Sequence, residues 1–188
     1  MHDLQPLNPL GGAGADHFQV AAVTLTENPN VALASVSARH GFSDACQAKL
    51  AEFLGAPVPM AGKARLGTSL DALWTGPDQW MVCAPFATHE DLATQLKSGF
   101  GDTASITEQT DAWACFDLQG VGIENVMERL CNLNLRAMAP ADATRSTIDH
   151  MGCFVIRRLA QDSVRILGPR SSAGSLHHAL VTAMRSAL

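Results

Sequence analysis

Residues 70–85 form the most informative segment of the chain: Leu70-Asp-Ala-Leu-Trp-Thr-Gly-Pro-Asp-Gln-Trp-Met-Val-Cys-Ala-Pro85. A tight turn is predicted at Gly76-Pro77-Asp78-Gln79, because proline fixes its own φ while glycine and aspartate tolerate turn geometry. Apolar residues alternate with other residues on both sides of the turn, which is the period of a strand with one buried face. The segment therefore predicts a β-hairpin, and the acidic residues after Thr88 predict a helix with Thr88 as its N-cap.

A second copy of this pattern occurs near the end of the chain. Residues 162–169 again predict a turn and a strand that ends in proline, and the residues after Ser172 have the spacing of a helix face. Four pairs of residues match at one constant offset: Asp78 with Asp162, Pro85 with Pro169, Leu92 with Leu176, and Leu96 with Leu180. We interpret this match as two related halves. The alternative is coincidence, because such apolar spacing is common in packed helices.

The composition predicts a well-packed globular protein. The chain has 188 residues, of which 47% are hydrophobic and only 16% are charged. That length fits one compact domain with an ample core. The low charge leaves room for a large interface with another chain, but composition alone favours a well-packed, alanine-rich globule.

Several functional classes are not expected. The net charge is −5 and no basic run is present, so we expect no nucleic acid partner. No apolar run approaches the roughly 20 residues that cross a bilayer, so no membrane partner is expected. The first residues lack the pattern of a secretory signal. Five scattered cysteines do not indicate a disulfide framework, so a cytoplasmic location is predicted.

The predicted fold is α+β, with two ferredoxin-like (split βαβ) halves and largely antiparallel sheets. Residues 1–30 are predicted to form an N-terminal arm with one short strand at Phe18–Leu25, because they are rich in Gly, Ala, Pro and Asn. Residues 31–188 are predicted to form a single compact domain with halves at about 31–109 and 110–188. The other predicted elements are strands at 31–38, 103–109 and 112–118, helices at 43–54, 88–99, 123–133 and 172–187, a loop at 132–144, and a hairpin of strands at 147–158 and 163–167.

Cofactor and metal motifs are weak. Gly120-Val121-Gly122 lies between a predicted strand and helix, but Asn125 stands where a dinucleotide fingerprint has its third glycine. We therefore interpret the segment as a tight turn. His177 and His178 are adjacent on a helix and point about 100° apart, so they do not converge on one ion. The cysteines are expected to be apolar filler, and no cofactor-binding or metal-binding residue is predicted.

Nucleophilic catalysis has no supporting motif. His40 lies near Ser35 and Ser37 in sequence, and Asp149-His150 lies beside a predicted hairpin. Neither pair has the sequence context that orients a nucleophile against a base. No catalytic residue is therefore predicted.

Trp74 and Trp80 flank the hairpin turn and belong to the same alternating set. Large aromatic residues in such positions anchor a core or an interface. They can also stack on a flat ligand such as a pterin or a flavin. We predict that both are core or interface anchors.

Three segments resemble a known family. They are Trp74-Thr-Gly-Pro-Asp-Gln-Trp80, Arg145-Ser-Thr-x-x-His-Met-Gly-Cys-Phe-Val-Ile-Arg157, and Leu167-Gly-Pro-Arg-Ser before the closing helix. From about residue 30 onward the chain resembles the gamma subunit of heterotetrameric sarcosine oxidase. The segment Gly120-x-Gly122 through Leu130-Cys-Asn-Leu-Asn134 is also similar to aminomethyltransferases, which implies a fold like their N-terminal folate-binding domain.

The resemblance implies a non-catalytic subunit that acts in assembly and stability. The complex oxidatively demethylates sarcosine to glycine and hydrogen peroxide, with formaldehyde or methylene-tetrahydrofolate as the one-carbon product. Its alpha, beta and delta subunits would be the partners of this chain. FAD, FMN, NAD, zinc and tetrahydrofolate are implied for the complex, with none bound by this chain. We expect the N-terminal arm to lie along a partner, so that loss of residues 1–25 weakens assembly.

Two alternatives stay open. The first is a free-standing protein that binds tetrahydrofolate or transfers an aminomethyl group, for which Asp111 or Asp117 could face the substrate. The second is an unrelated ferredoxin-like sensor of a small molecule. Folate titration of the isolated chain tests the first, and co-purification of a flavin-containing partner tests the second.

Overall fold

The computed structural model describes residues 7–160 and 162–188, and it has an α+β architecture. The chain divides into two compact units. The terminal unit comprises residues up to 29, 112–140 and 145–188; the central unit comprises residues 30–111 and 141–144. The elements, in chain order, are β1 His17–Val20, β2 Val23–Glu27, β3 Ala32–Ala38, α1 Ser43–Leu54, β4 Ala64–Leu66, β5 Asp71–Gly76, β6 Gln79–Ala84, α2 Leu92–Phe100, β7 Ala104–Glu108, β8 Trp113–Gln119, α3 Ile123–Met127, β9 Ala143–Ile148, β10 Met151–Arg157, β11 Ser163–Pro169 and α4 Ala173–Ala187.

The central unit is a ferredoxin-like half. Its sheet has the order β4-β5-β6-β3-β7, and the strand pairs described are antiparallel. Helices α1 and α2 pack on one face of that sheet and share its apolar core. Strand β4 is an addition at the edge. The remaining strands have the spatial order that two interleaved βαβ units produce.

The terminal unit has the same arrangement of strands, but the strand equivalent to β7 comes from the N-terminal part of the chain. Its sheet has the order β1-β2-β8-β11-β10-β9, and its core includes residues of α3 and α4. Strand β2 pairs with β8 in the position that β7 occupies beside β3 in the central unit. The predicted α+β class and the two ferredoxin-like halves are therefore confirmed.

Residues 7–29 belong to the terminal unit and do not form the separate arm that the sequence predicts. Residues 17–27 form two strands, β1 and β2, that pair with each other and continue the terminal sheet. Val23 and Leu25 are fully buried in the core of that sheet. The physical reason is that β2 occupies the sheet position beside β8 that β7 occupies beside β3 in the central unit. Residues 1–6 of the predicted arm lie outside the described residues.

The repeat that the sequence indicates has a structural basis. Asp78 and Asp162 both adopt the left-handed conformation, with φ of 55° and 54°, in the turns before β6 and β11. Each accepts an equivalent backbone hydrogen bond, from Ala38 N to Asp78 O at 3.0 Å and from Gly120 N to Asp162 O at 2.8 Å. Pro85 and Pro169 each precede a short 3-10 turn, and the four matched leucines are buried in their helices.

The predicted boundaries fail in three places. Helix α2 begins at Leu92, because residues 86–88 form a 3-10 turn in which the Thr88 hydroxyl donates to Pro85 O at 3.3 Å. Helix α3 ends at Met127, well before residue 133. Strand β9 occupies part of the predicted loop, and it joins β10 through Asp149 and His150, which both have positive φ, a pattern typical of a type I′ turn.

Strand β6 is buried on both faces. Trp80, Val82 and Ala84 lie in the core of the central unit, while Met81 and Cys83, which alternate with them, are also buried. The expected single buried face is therefore wrong for this strand. A strand buried on both faces has a nearly continuous apolar sequence, which the run Trp80 to Ala84 has.

A buried carboxylate fastens residues 7–16 to the terminal sheet. The side chain of Glu27 is 2% exposed and accepts hydrogen bonds from Leu10 N at 3.0 Å and Asp16 N at 3.1 Å. Arg170 adds a further attachment by donating to Leu7 O at 2.7 Å. Because each carboxylate oxygen accepts from a different backbone N–H, one side chain fixes two points of the loop.

Within the described ranges, no helix combines the length and apolarity that crossing a bilayer requires.

Substitution of Glu27 tests this attachment. In Glu27→Gln the amide NH2 faces one of the two backbone donors, so we expect a loss of about 1–3 kcal/mol in the free energy of unfolding. Limited proteolysis should then cut within residues 8–16. The matched control is Glu108→Gln, because Glu108 ends β7 at the equivalent position, is exposed, and accepts only a local bond from Thr110 N that a glutamine oxygen can keep. Equal stability of the two variants in urea unfolding would contradict the anchoring role.

Candidate functional site

The two tryptophans of the hairpin are direct cross-strand partners in the β5–β6 register. Trp80 is 3% exposed, and its indole Nε1 donates to Pro59 O at 3.0 Å. Trp74 is only partly buried and packs against the same core. Trp80 therefore has little surface left to stack on a flat ligand. The role of Trp74 as an interface anchor stays a prediction.

The carboxylate of Asp117 is engaged within the terminal unit. Arg165 forms a two-pronged ion pair with it, from Nε to Oδ1 at 2.8 Å and from Nη2 to Oδ2 at 2.9 Å, and Asn28 Nδ2 donates to Oδ2 at 2.8 Å. Burial raises the pKa of Asp117, but the hydrogen bonds from Arg165 and Asn28 and the charges of Arg165 and Arg158 outweigh it, so the pKa lies below its ordinary value. Asp111, the other candidate, is an exposed residue of the central unit.

The serine and histidine candidates are not arranged as a nucleophile with its base. The Ser35 hydroxyl lies 3.5 Å from Thr107 O and 3.5 Å from Gln109 Nε2, while His40 is exposed beyond the end of β3. Asp149 and His150 are the two exposed turn residues between β9 and β10. Turn formation accounts for this pair, since aspartate and histidine tolerate positive φ better than most residues.

The glycines at 120 and 122 serve packing. A Cβ on Gly120 would lie 1.9 Å from Ala22 O, and a Cβ on Gly122 would lie 2.8 Å from Leu188 Cδ2. Both residues have φ above 100°, a conformation that side chains rarely adopt. The backbone contact at Gly120 and the φ of both residues favour glycine here, which accounts for the two glycines as parts of a tight turn.

No group of three or more potential metal ligands occurs within residues 7–160 and 162–188. His177 Nε2 lies 3.1 Å from Asp16 Oδ1, and its ring lies near that of Phe116, whereas His178 lines a different surface. Four of the five cysteines are buried. Burial raises the pKa of Cys153 to about 11, so this thiol is protonated and unreactive at neutral pH.

A surface cleft of about 320 Å³ lies in the terminal unit beside α4. Its lining is mostly polar, with three apolar residues among its members, which are Arg129, Leu130, Asp149, His178, Ala179, Thr182, Ala183 and Ser186. Sequence reasoning missed this cleft because its residues come from three separate segments. One signal was available: His178, Thr182 and Ser186 recur at every fourth position, which places them on one face of a helix.

Two solved structures have similar folds. A chain of heterotetrameric sarcosine oxidase from Corynebacterium sp. U-96, in complex with pyrrole 2-carboxylate, matches with a TM-score of 0.77 and 22% identity, over 87% of this chain and 84% of that one. Aminomethyltransferase T of the glycine cleavage system from Bartonella henselae matches with a TM-score of 0.65 and 18% identity, over 86% of this chain. This chain spans 46% of the aminomethyltransferase.

No family model and no curated protein sequence matches the chain. At these identities the two structural likenesses concern the fold. They confirm the predicted α+β fold and its likeness to sarcosine oxidase and aminomethyltransferase structures.

Truncation of Trp80 measures how far the hairpin depends on this side chain. Trp80→Ala should lower the free energy of unfolding by about 3–5 kcal/mol, because it removes a buried aromatic ring. Trp80→Phe keeps most of the apolar packing but leaves Pro59 O without its donor, so the expected loss is about 1–2 kcal/mol. Trp74→Ala is the matched comparison, because Trp74 is the cross-strand partner of Trp80 but is only partly buried. It should lower the free energy of unfolding by less than Trp80→Ala does. Urea unfolding would contradict the core role if the two alanine variants were equally stable.

The ion pair of Asp117 predicts a pH-dependent stability. Because the folded-state pKa is lowered, the contribution of this carboxylate is present above its unfolded pKa, about 4, and is lost as the pH falls through the folded value. Asp117→Asn also removes the negative charge opposite Arg165, so it should lower the free energy of unfolding by about 3 kcal/mol at pH 7 and by markedly less at pH 3. Asp102→Asn, at a side chain that is 96% exposed, is the control. An equal cost at both pH values would exclude the carboxylate charge as the cause.

Proposed function

We propose that this chain is a non-catalytic subunit of a heterotetrameric sarcosine oxidase, equivalent to the gamma subunit, and that it contributes to assembly and stability of the complex. The observation that supports the proposal best is the match in fold over most of both chains, 87% of this one and 84% of the sarcosine oxidase chain. The motif around Trp74 and Trp80 supports it independently. The flavins, NAD and zinc of the reaction would then be bound by the alpha, beta and delta subunits.

The state of the candidate catalytic groups favours a subunit over a free-standing enzyme. Of the two carboxylates that a folate-dependent transferase could present to its substrate, Asp117 is held by Arg165 and Asn28, and Asp111 is exposed in the central unit. Ser35 bonds to the neighbouring strand, and Asp149 and His150 form a turn. The side chains of Asp117 and Ser35 thus already have structural roles, which favours contact with a partner as the contribution of the chain.

Exposed apolar side chains give the partner something to bind. Met60 is 76% exposed, Val121 74% and Leu159 65%. Residues of this kind lose more water-exposed apolar area in an interface than charged residues do. Met60 lies in the central unit and the other two in the terminal unit, so substitutions can test each unit separately.

Co-expression tests the proposal. The tagged chain should co-purify at equal stoichiometry with the alpha, beta and delta subunits from the same host, and the preparation should show a flavin absorbance spectrum and sarcosine-dependent hydrogen peroxide formation. Met60→Asp tests docking through the central unit, and Val121→Asp with Leu159→Asp tests the terminal unit. At least one of these variants should lose the partners while keeping the unfolding midpoint of the isolated chain.

Deletion of residues 1–25 is a poor test of assembly, because it removes β1 and most of β2 and so damages the terminal sheet itself. Two results would overturn the proposal. One is an absence of flavin-containing partners after purification from the native host. The other is tight binding of tetrahydrofolate, or turnover of an aminomethyl donor, by the isolated chain.

A further inference from the structure

The cleft beside α4 has no role in the proposed function, and its walls carry opposite charges. One wall follows α3 and carries Arg129 and Leu130, and another is the β9–β10 turn with Asp149. The backbone N–H of Asp149 donates to Leu130 O at 3.3 Å, which ties these two walls together. Helix α4 forms the third wall.

Arg129 is distinctive among the arginines of the described chain. The side chains of the others each have a hydrogen bond, an ion pair, a ring contact or an electrostatic interaction, as Arg136 has with Glu128 and Arg185 has with Phe18. Within residues 7–160 and 162–188 the side chains of Arg129 and Asp149 have no such partner, although both line one cleft. A guanidinium and a carboxylate are thus both available to a ligand in that space.

The third wall supplies room and hydrogen-bonding groups. Ala179 and Ala183 are small and buried, so the helix surface is low between the side chains of His178, Thr182 and Ser186. The hydroxyl of Thr182 and the imidazole of His178 are exposed polar groups on this wall. Together with Leu130 the two alanines make an apolar floor. The volume, about 320 Å³, is at the lower end of the range for small-molecule sites.

We propose that this cleft binds a free aliphatic amino acid as its zwitterion. A guanidinium binds a carboxylate through two parallel hydrogen bonds, so Arg129 receives the α-carboxylate of the ligand. Asp149 receives the ammonium group, and the aliphatic side chain lies over Leu130, Ala179 and Ala183. The inference rests on the lining of the cleft and not on the proposed role as a subunit.

Isothermal titration of the full chain with three related probes tests the assignment. L-leucine carries both charges, 4-methylpentanoate lacks the ammonium group, and 3-methylbutylamine lacks the carboxylate. L-leucine should bind at least about tenfold more tightly than either analogue, since each analogue leaves one charged side chain unpaired. Binding of an analogue as tight as that of L-leucine would show a site for an anion or for a cation and would overturn the proposal, as would the absence of L-leucine binding.

Matched variants locate the binding. Arg129→Gln and Asp149→Asn should each weaken L-leucine binding about tenfold or more. Asparagine suits position 149 because it tolerates the φ of 44° that the turn requires. Arg39→Gln and Asp102→Asn remove the same charges from an exposed ion pair of the central unit and should leave the affinity unchanged. Unfolding midpoints serve as the folding check. Equal losses in both sets of variants, or in neither, would place the ligand elsewhere and refute the assignment.

Discussion

The pairing of β2 with β8 is the constraint on which the terminal unit depends. It joins parts of the chain that are far apart in sequence: Asn28 contacts Asp117 across 89 positions. Without β2 the sheet would end at β8 with unpaired backbone groups and would lose Val23 and Leu25 from its core. Glu27 and Asn28, at the end of the same strand, also hold the loop before β1 and the carboxylate of Asp117.

Local features of the fold could be predicted from the sequence, and long-range pairing could not. The Gly76–Gln79 turn, helix α1 with Gly55 at its C-terminal cap and the matching turn at Asp162 follow from residue types that prefer those backbone conformations. The partner of β2 is a choice between distant strands of similar composition, and no local signal encodes it. The end of α3 could not be predicted, because the apolar residues after Met127 suit a helix as well as a loop packed on the core. Strand β9 has apolar residues only at its two ends, Ala143 and Ile148, so its sequence carries little strand signal.

Functional sites that depend on contacts between distant segments could not be predicted from the sequence either. Trp80 could be singled out as a core or interface anchor, but the alternation along β6 could not decide its burial, because residues on both faces of this strand are buried. The state of Asp117 could not be foreseen, because Arg165 and Asn28 lie in distant segments. The cleft was equally hidden: Arg129, Asp149 and His178 meet only when α3, the β9–β10 turn and α4 are packed together. Among the side chains that meet only in the folded unit, Asp117 and Arg165 pair with each other, whereas Arg129 and Asp149 remain available to a ligand.

The placement of β2 has a consequence for biosynthesis. The residues of the central unit up to Asp111 leave the ribosome as one continuous block, so nearly all of that half can fold while translation continues. Strand β2 is made earlier still, yet its partner β8 appears only after this block is complete. In a nascent chain β2 can therefore pair only with β1. Its other edge, and the apolar side chains of Val23 and Leu25, stay uncovered until β8 has been synthesised.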